Sequence, residues 1–404
     1  MESPINHLGH RVPPRIYFYC CPEPDNLQDD IVILAEGLQA LGIPFYASAD
    51  YWLQSTTPGD YLFKATPGVS PDDCDIVVLP YTWFNWVRLD HPTTRRNFPP
   101  ALFKSGRHYR TVYMDTNDGH RTVSWEPEFR QFDFIFRTKL NRRAWAPDNL
   151  HSWVLGLSNR MLNMTANAPA FSTRRPAVLV NFGASHHYPH TARQRADQSF
   201  SPVLNAWFQP DTTRDNLTVP PADAYDRLMW SQTNHRHSRA YYERLKTTQA
   251  CACFCGDLIP SMPWRDPGQY LVGGQKAALK MQFWKTLARL DPRPDRIVQW
   301  DSWRFWEALS SGCLSFNLDL DLYGAQLPVM PVKDVHYIGV DLRHPHVVRE
   351  RWHDDPAGIA RIAAAGQAWA WKNYSPVPMA SRFLKTLGFI PPTSGAPHVS
   401  SSDS

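Results

Sequence analysis

Ser302-Trp303-Arg304-Phe305-Trp306-Glu307-Ala308-Leu309-Ser310-Ser311-Gly312-Cys313 reads as a capped helix that ends at a glycine and runs into the apolar strand Cys313-Leu314-Ser315-Phe316. Ser302 or Asp301 is placed to accept from the first free helix amides, and Gly312 supplies the left-handed position just past the helix end. Phe305, Ala308, Leu309 and Gly312 recur at i, i+3, i+4 and i+7 and form one buried face. Glu307 falls outside that face, on the side of Trp303 and Ser311. A carboxylate on a well-packed helix, beside a helix N-terminus that attracts phosphate, is what a nucleoside diphosphate site needs. A helix feeding straight into a buried strand is also the repeating step of a parallel α/β sheet.

The same step recurs in both directions along the chain. Upstream, Arg15–Cys20 is an apolar run, followed by helical spacing at Ile31, Leu34, Leu38 and Leu41, a stop at Gly42, and a second run from Ile43 to Ala47. Asp75–Pro80, Tyr109–Asp115 and Phe134–Phe136 continue the series as three more strands. The pattern restarts at Ala177–Phe182, with helices at 223–229 and 239–247, a strand at 250–254, a helix at 276–289 and a strand or turn at 295–300. The motif helix, a strand at 335–340, an alanine-rich helix at 357–373 and a short turn at 381–387 follow. Strands alternating with helices predict two α/β, Rossmann-like domains facing a central cleft. The expected division is 1–150 for the first domain and 151–176, rich in Asn, Pro, Ser and Thr, for a linker. The second domain is then 177–356, a helical strap 357–389, and a Pro/Ser-rich disordered tail 390–404. Two such units joined by a linker and one returning strap are expected to share a modest interface and to close on each other.

At 404 residues the chain is long enough for two ordinary cores. A net charge of +4 over that length is too small to argue for nucleic acid, no stretch is a dense basic run, and no nucleic-acid partner is expected. The first residues lack a basic stretch followed by an apolar one, and no run of about eighteen apolar residues occurs, so a cytoplasmic location is expected. A peripheral membrane contact stays open. Cys251, Cys253 and Cys255 share one face of a strand, as ligands of a thiolate metal site or as small buried hydrophobes. The second reading is favoured, because zinc sites use paired Cys-x-x-Cys knuckles.

The form Asp301-Ser302-x-Arg304-x-x-Glu307-Ala308-Leu309-x-x-Gly312-Cys313 resembles the donor-binding segment of GT-B glycosyltransferases, the Glu-Ala-Leu/Met-x-x-Gly region of the retaining, family-1-type enzymes. It is closer to a bacterial branch of that family, also echoed in exostosin-like transferases, than to the family's well-studied members. Gln367-Ala368-Trp369-Ala370-Trp371-Lys372-Asn373-Tyr374-Ser375-Pro376 resembles the family's closing helix, which leads a final helix back to the first domain. The resemblance implies transfer of a sugar, with retention, from a nucleotide diphosphate sugar to a carbohydrate, lipid-linked or other hydroxyl acceptor, with no further cofactor. It gives Glu307 the ribose hydroxyls of the nucleotide. Eight positions earlier, where the family has a partner glutamate, this chain has Gln299, which keeps hydrogen bonding and loses the charge. Arg304 is placed to reach a phosphate or to pair with Glu307. The loss of one carboxylate keeps two other readings in view, a nucleotide-sugar epimerase or hydrolase on the same scaffold and a non-catalytic glycan- or nucleotide-binding protein.

The first loop of the second domain, Gly183 to Arg193, lies where ligands bind an open sheet. Gly183 would permit close backbone approach there, while His190 and Arg193 could neutralise a departing diphosphate. The histidines at 186, 187, 190, 235 and 237 lack the spacing of a helical metal site, and no metal is expected. In the first domain Asp118 and His120 follow the fourth strand and are candidates for general base and acceptor contact. Asn117-Asp118-Gly119 is equally turn chemistry. Trp52, Trp83 and Trp86 could stack on a sugar face or serve as core. Asp319-Leu320-Asp321 has metal-binding spacing, but the family pattern puts no metal there.

Overall fold

The structure, a computed structural model, describes residues 13–21, 29–84, 97–116, 127–181, 191–215, 217–259, 279, 283, 286 and 294–390. The first half holds strand β1 (Ile16–Phe18), helix α1 (Asp29–Ala40), β2 (Phe45–Ala47), β3 (Tyr51–Leu53), β4 (Tyr61–Phe63), β5 (Ile76–Pro80), β6 (Arg110–Asp115), β7 (Phe134–Arg137), β8 (Leu140–Asn141) and β9 (Leu150–Ser152). Its main sheet runs β2-β1-β5-β6-β7-β9, parallel throughout. β5 is buried along its whole length, as expected of a strand covered on both faces.

The second half adds α2 (Asn159–Thr165), β10 (Arg175–Leu179), α3 (Ala192–Ser199), α4 (Ser201–Asn205), β11 (Gln209–Asp211), α5 (Ala224–Gln232), α6 (Arg239–Thr247), β12 (Thr248–Ala252), β13 (Asp257–Ile259) and β14 (Arg296–Val298). α7 (Trp303–Ser310), β15 (Leu314–Leu318), β16 (Ala325–Gln326), β17 (Ile338–Val340), α8 (His346–Trp352), α9 (Pro356–Tyr374) and α10 (Pro376–Thr386) complete it. The second sheet, β11-β10-β12-β15-β17, is also all parallel. Strand order reverses at β1/β5 in the first sheet and at β10/β12 in the second. The expected pair of Rossmann-like sheets is therefore present.

The structure differs from the sequence reading at four places. β3 and β4 form an antiparallel hairpin that the sequence reading missed. The stretch read as a linker carries the end of edge strand β9, which pairs with β7, and the whole of α2. The turn expected at 381–387 belongs to the 11-residue helix α10, whose Pro376 sits at the first helical position, where a missing N–H costs nothing. The join between the halves is extensive. Asn141 Nδ2 donates to the carbonyls of Ile297 and Tyr323, both at 2.9 Å, and β8 pairs antiparallel with β16. One continuous hydrophobic core runs from Ile16 to Leu387. Of the helix expected at 276–289, residues 279, 283 and 286 are described, all helical.

The strap reaches the first sheet. α10 lies on α1 so closely that a Cβ on Gly37 would fall against the Pro376 carbonyl and within 2.7 Å of Ala380 Cβ. Phe383 packs on Phe136 at 5.2 Å between ring centroids, and the Arg110 guanidinium donates to the Leu387 carbonyl. Trp369 is buried and stacked on Trp306, whereas Trp371 is exposed and gives its indole N–H to Ser310 Oγ at 3.0 Å. Only the first of the two tryptophans is a buried anchor.

Candidate functional site

α7 ends as its sequence dictates. Gly312 has φ +69°, its N–H donates to Leu309 O at 2.9 Å, and Cys313 N–H donates to Ala308 O at 3.0 Å. These two bonds are the Schellman closure, and they launch β15 from the end of the helix. The start of α7 differs from expectation. Ser302 makes no side-chain cap, and its buried Oγ has no hydrogen-bond partner among the described residues. Asp301 is buried and committed elsewhere: Oδ1 accepts from Trp306 Nε1 at 2.6 Å and Oδ2 from Leu155 N at 2.7 Å. Burial lifts this carboxyl to about 6.

A cleft of about 390 Å³ opens at the carboxyl edge of the second sheet. Asn181, just past β10, and Arg193, at the start of α3, line it together with Arg214, Asp215 and Leu217 after β11. Arg236, Ser238 and Tyr241 enter from the start of α6; Ser302, Trp303, Arg304 and Glu307 from the start of α7; and Arg160 from α2. This is the switch point of the strand order, where open α/β sheets bind ligands. Among the described lining residues five arginines face two carboxylates, and of these Asp215 is already paired with Arg244. Such a surface suits an anion with planar, bidentate acceptors.

The arginines are held in place. Arg304 Nε donates to Asn181 Oδ1 at 2.9 Å rather than across to Glu307. Arg193 Nε donates to the Phe254 carbonyl at 3.1 Å, bridging α3 to the loop after β12. Thr191 caps α3 by accepting from Gln194 N at 3.0 Å. Glu307 is 7% exposed, and its Oε1 accepts from the Tyr242 hydroxyl at 2.7 Å. Burial pushes the Tyr242 phenol well up, so it stays a donor. Behind it lie Arg160, His237, Asp226 and Arg239. Burial and the Arg160 charge hold His237 below the usual imidazole range. Asp226 is pushed up by burial but held lower overall by hydrogen bonds from Arg239 and His237.

The cleft thus gathers Arg193, Ser302, Arg304 and Glu307 from the sequence candidates. Gln299 does not line it; it follows β14 with φ +53°, and its backbone lies against Gly256. Gly183, His190, Asp118, His120 and Trp86 lie outside the described residues. Trp52 is core, with a positive φ, and is closed to a glycan. Trp83 is half-buried and gives its indole N–H to Asn97 O at 2.9 Å. Asp319 pairs with Lys333 and Asp321 with Arg142, so the two carboxylates do not converge. Cys251, Cys253 and Cys255 are buried, and among the described residues no group of three or more His, Cys, Asp or Glu is placed to hold a metal. Nor is any described helix long and apolar enough to cross a membrane. Sequence reasoning missed Arg160, Asn181, Arg214, Arg236 and the pair Tyr241–Tyr242.

No known family model matches the sequence, and no curated protein matches it. Among solved structures, the chain is similar to an alpha-glucosyltransferase in complex with UDP and a 13-mer DNA, at 9% identity and TM-score 0.49 over 93% of this chain and 100% of that one. It is similar to a glycosyltransferase from Rickettsia africae at 8% identity and TM-score 0.47, over 93% of this chain and 97% of that one. It is also similar to AviGT4, a glycosyltransferase involved in avilamycin A biosynthesis, at 12% identity and TM-score 0.45, over 92% and 96%. Each likeness is remote in sequence and in shape, and the cleft is read from its own residues.

Proposed function

We propose that this protein is a GT-B-type glycosyltransferase that moves a sugar from a nucleotide diphosphate sugar to a hydroxyl acceptor. The observation that carries the reading is the arginine-lined cleft at the β10/β12 switch point, with a buried carboxylate from α7 beside it. Arg193 and Arg304 neutralise the departing diphosphate, a stabilisation that grows as the glycosidic bond breaks. Glu307 accepts from the ribose hydroxyls. Residues 1–150, the first domain, serve the acceptor, a glycan or lipid-linked hydroxyl, with Asp118 or His120 as its base. Residues 177–356 form the donor domain, with 151–176 joining the two and 357–389 strapping them. No metal takes part, the arginines and the helix N-termini supplying the positive field.

A panel of nucleotide sugars assayed with and without acceptor sugars and lipid-linked acceptors tests this. Sugar transfer that survives EDTA is expected. Release of free sugar without an acceptor would make the protein a hydrolase. Binding without turnover under any condition would make it a binding protein.

A further inference from the structure

Behind Glu307 lies a chain of polar groups from α2, α5, the turn before α6 and α6 itself, buried except for Arg239, of which Arg160 also lines the cleft. Arg160 Nη1 donates to the Tyr242 hydroxyl at 2.9 Å and lies 3.2 Å from His237 Nδ1. His237 Nε2 lies 3.1 Å from Asp226 Oδ1, and Arg239 reaches both Asp226 oxygens at 2.6 and 3.0 Å. Tyr242 and His237 are fully buried.

Hydrogen counting leaves this chain one arrangement. A guanidinium never accepts, so its two Nη1 protons go to Tyr242 and to His237 Nδ1. His237 must then carry its proton on Nε2 and give it to Asp226, the tautomer the network assigns. The phenol oxygen accepts from Arg160, and its single proton goes to Glu307 Oε1 at 2.7 Å. Glu307 Oε2 has no hydrogen-bond partner among the described residues, and Glu307 is one of the residues that line the cleft.

We propose that Tyr242 is a positioning residue for Glu307: the chain Asp226–His237–Arg160–Tyr242 fixes the carboxylate so that it meets the vicinal diol of the ligand's ribose. The inference rests on the reading of the cleft as a nucleotide site. Without the phenol proton, Glu307 would lose its fixed rotamer, and a bidentate contact to two hydroxyls depends on that rotamer.

The test uses Tyr242→Phe, which keeps the packed ring, and calorimetric titration with UDP, GDP and ADP, each beside its 2′,3′-dideoxy counterpart. If the full protein binds none of these diphosphates, the nucleotide reading fails, and this inference with it. If it binds a ribonucleotide and its dideoxy form equally, Glu307 is not the ribose ligand. Given that the parent prefers the ribonucleotide, Tyr242→Phe is expected to weaken it about tenfold, the scale of a hydrogen bond to a charged group, and to leave the dideoxy form unchanged. Equal weakening of both forms, or unchanged discrimination, would overturn the proposal. Arg160→Lys is the second variant, and it decides the matter if Tyr242→Phe fails to fold. A lost phosphate contact weakens both ligands alike, so only a fall in the ratio between them supports the chain.

Discussion

Gly37→Ala sets two magnitudes of opposite sign against each other. Gly37 is inside α1, where replacing glycine by alanine on a bare helix stabilises by about 0.8–1 kcal/mol. In the folded protein the new methyl would press on the Pro376 carbonyl oxygen, 2.6 Å from its carbon and 2.7 Å from Ala380 Cβ. Carbon atoms in contact sit about 3.5–4.0 Å apart, so α10 must shift outward by about 1 Å. Overpacking of this kind costs about 1–3 kcal/mol. Undocking α10 instead would expose Met379, Phe383 and Leu384, all buried, at about 1.5–3 kcal/mol each. The shift is cheaper than the undocking and outweighs the helix gain. Because the carbonyl oxygen lies closer still than its carbon, the cost falls in the upper half of that range, about 2–3 kcal/mol, and after the helix gain a net loss of about 1–2 kcal/mol is expected, read as a lower urea midpoint with an unchanged slope. A variant as stable as the parent, or more so, would refute the packing of α10 on α1.

Glu307→Ala strands the buried Tyr242 hydroxyl and should lower stability by about 1–3 kcal/mol, whereas Glu307→Gln keeps an acceptor for it and should change stability little. Equal unfolding midpoints for the two would contradict the Tyr242 contact. Asp301 makes stability depend on pH. Its folded pKa near 6 exceeds the ordinary 3.8, so between those values the folded state holds a proton the unfolded state has lost. Stability contributed by this group therefore falls as pH rises from about 4 to 6, by about 3 kcal/mol, and is constant outside that window. Asp301→Asn should remove that part of the profile in urea titrations at several pH values; superimposable profiles would remove Asp301 from the account. Ending the chain after Asp355 removes α9 and α10 and should abolish cooperative unfolding, while ending it after Ile390 should leave the unfolding midpoint in place.

The two-sheet fold was legible because most inner parallel strands are largely apolar runs and several covering helices carry their own spacing. Ile76–Pro80 and the α6–β12 step, Arg239–Ala252, show this directly. Elements without such runs were not legible. Tyr51–Leu53 is three residues long with Trp52 in a left-handed conformation, and Gln209–Asp211 is polar and exposed. α10 was hidden by Pro376 and Pro378, which read as breakers although both fall in the first turn.

At the site, Glu307 and Arg304 were legible because one helix carries both. The partners of Glu307 come from 65 residues away in Tyr242 and, through it, from Arg160 on α2. No local pattern marks a contact of that separation. A tyrosine on an apolar helix face reads as core, and Tyr242 is core in every respect except its hydroxyl. Arg214 and Arg236 fall in polar loops and became meaningful only once strand order placed both loops at one sheet edge.

The central claim is that the switch-point cleft binds the diphosphate of a nucleotide sugar through its arginines. The most direct measurement is calorimetric titration of UDP-glucose, GDP-mannose and ADP-glucose into the parent and into Arg304→Met, with folding of the variant checked by its unfolding midpoint. One of the three should bind the parent with one-to-one stoichiometry, and its dissociation constant should rise about tenfold or more in the folded variant. Binding that is equally tight in both proteins, or no binding of any nucleotide sugar to the parent, would contradict the account.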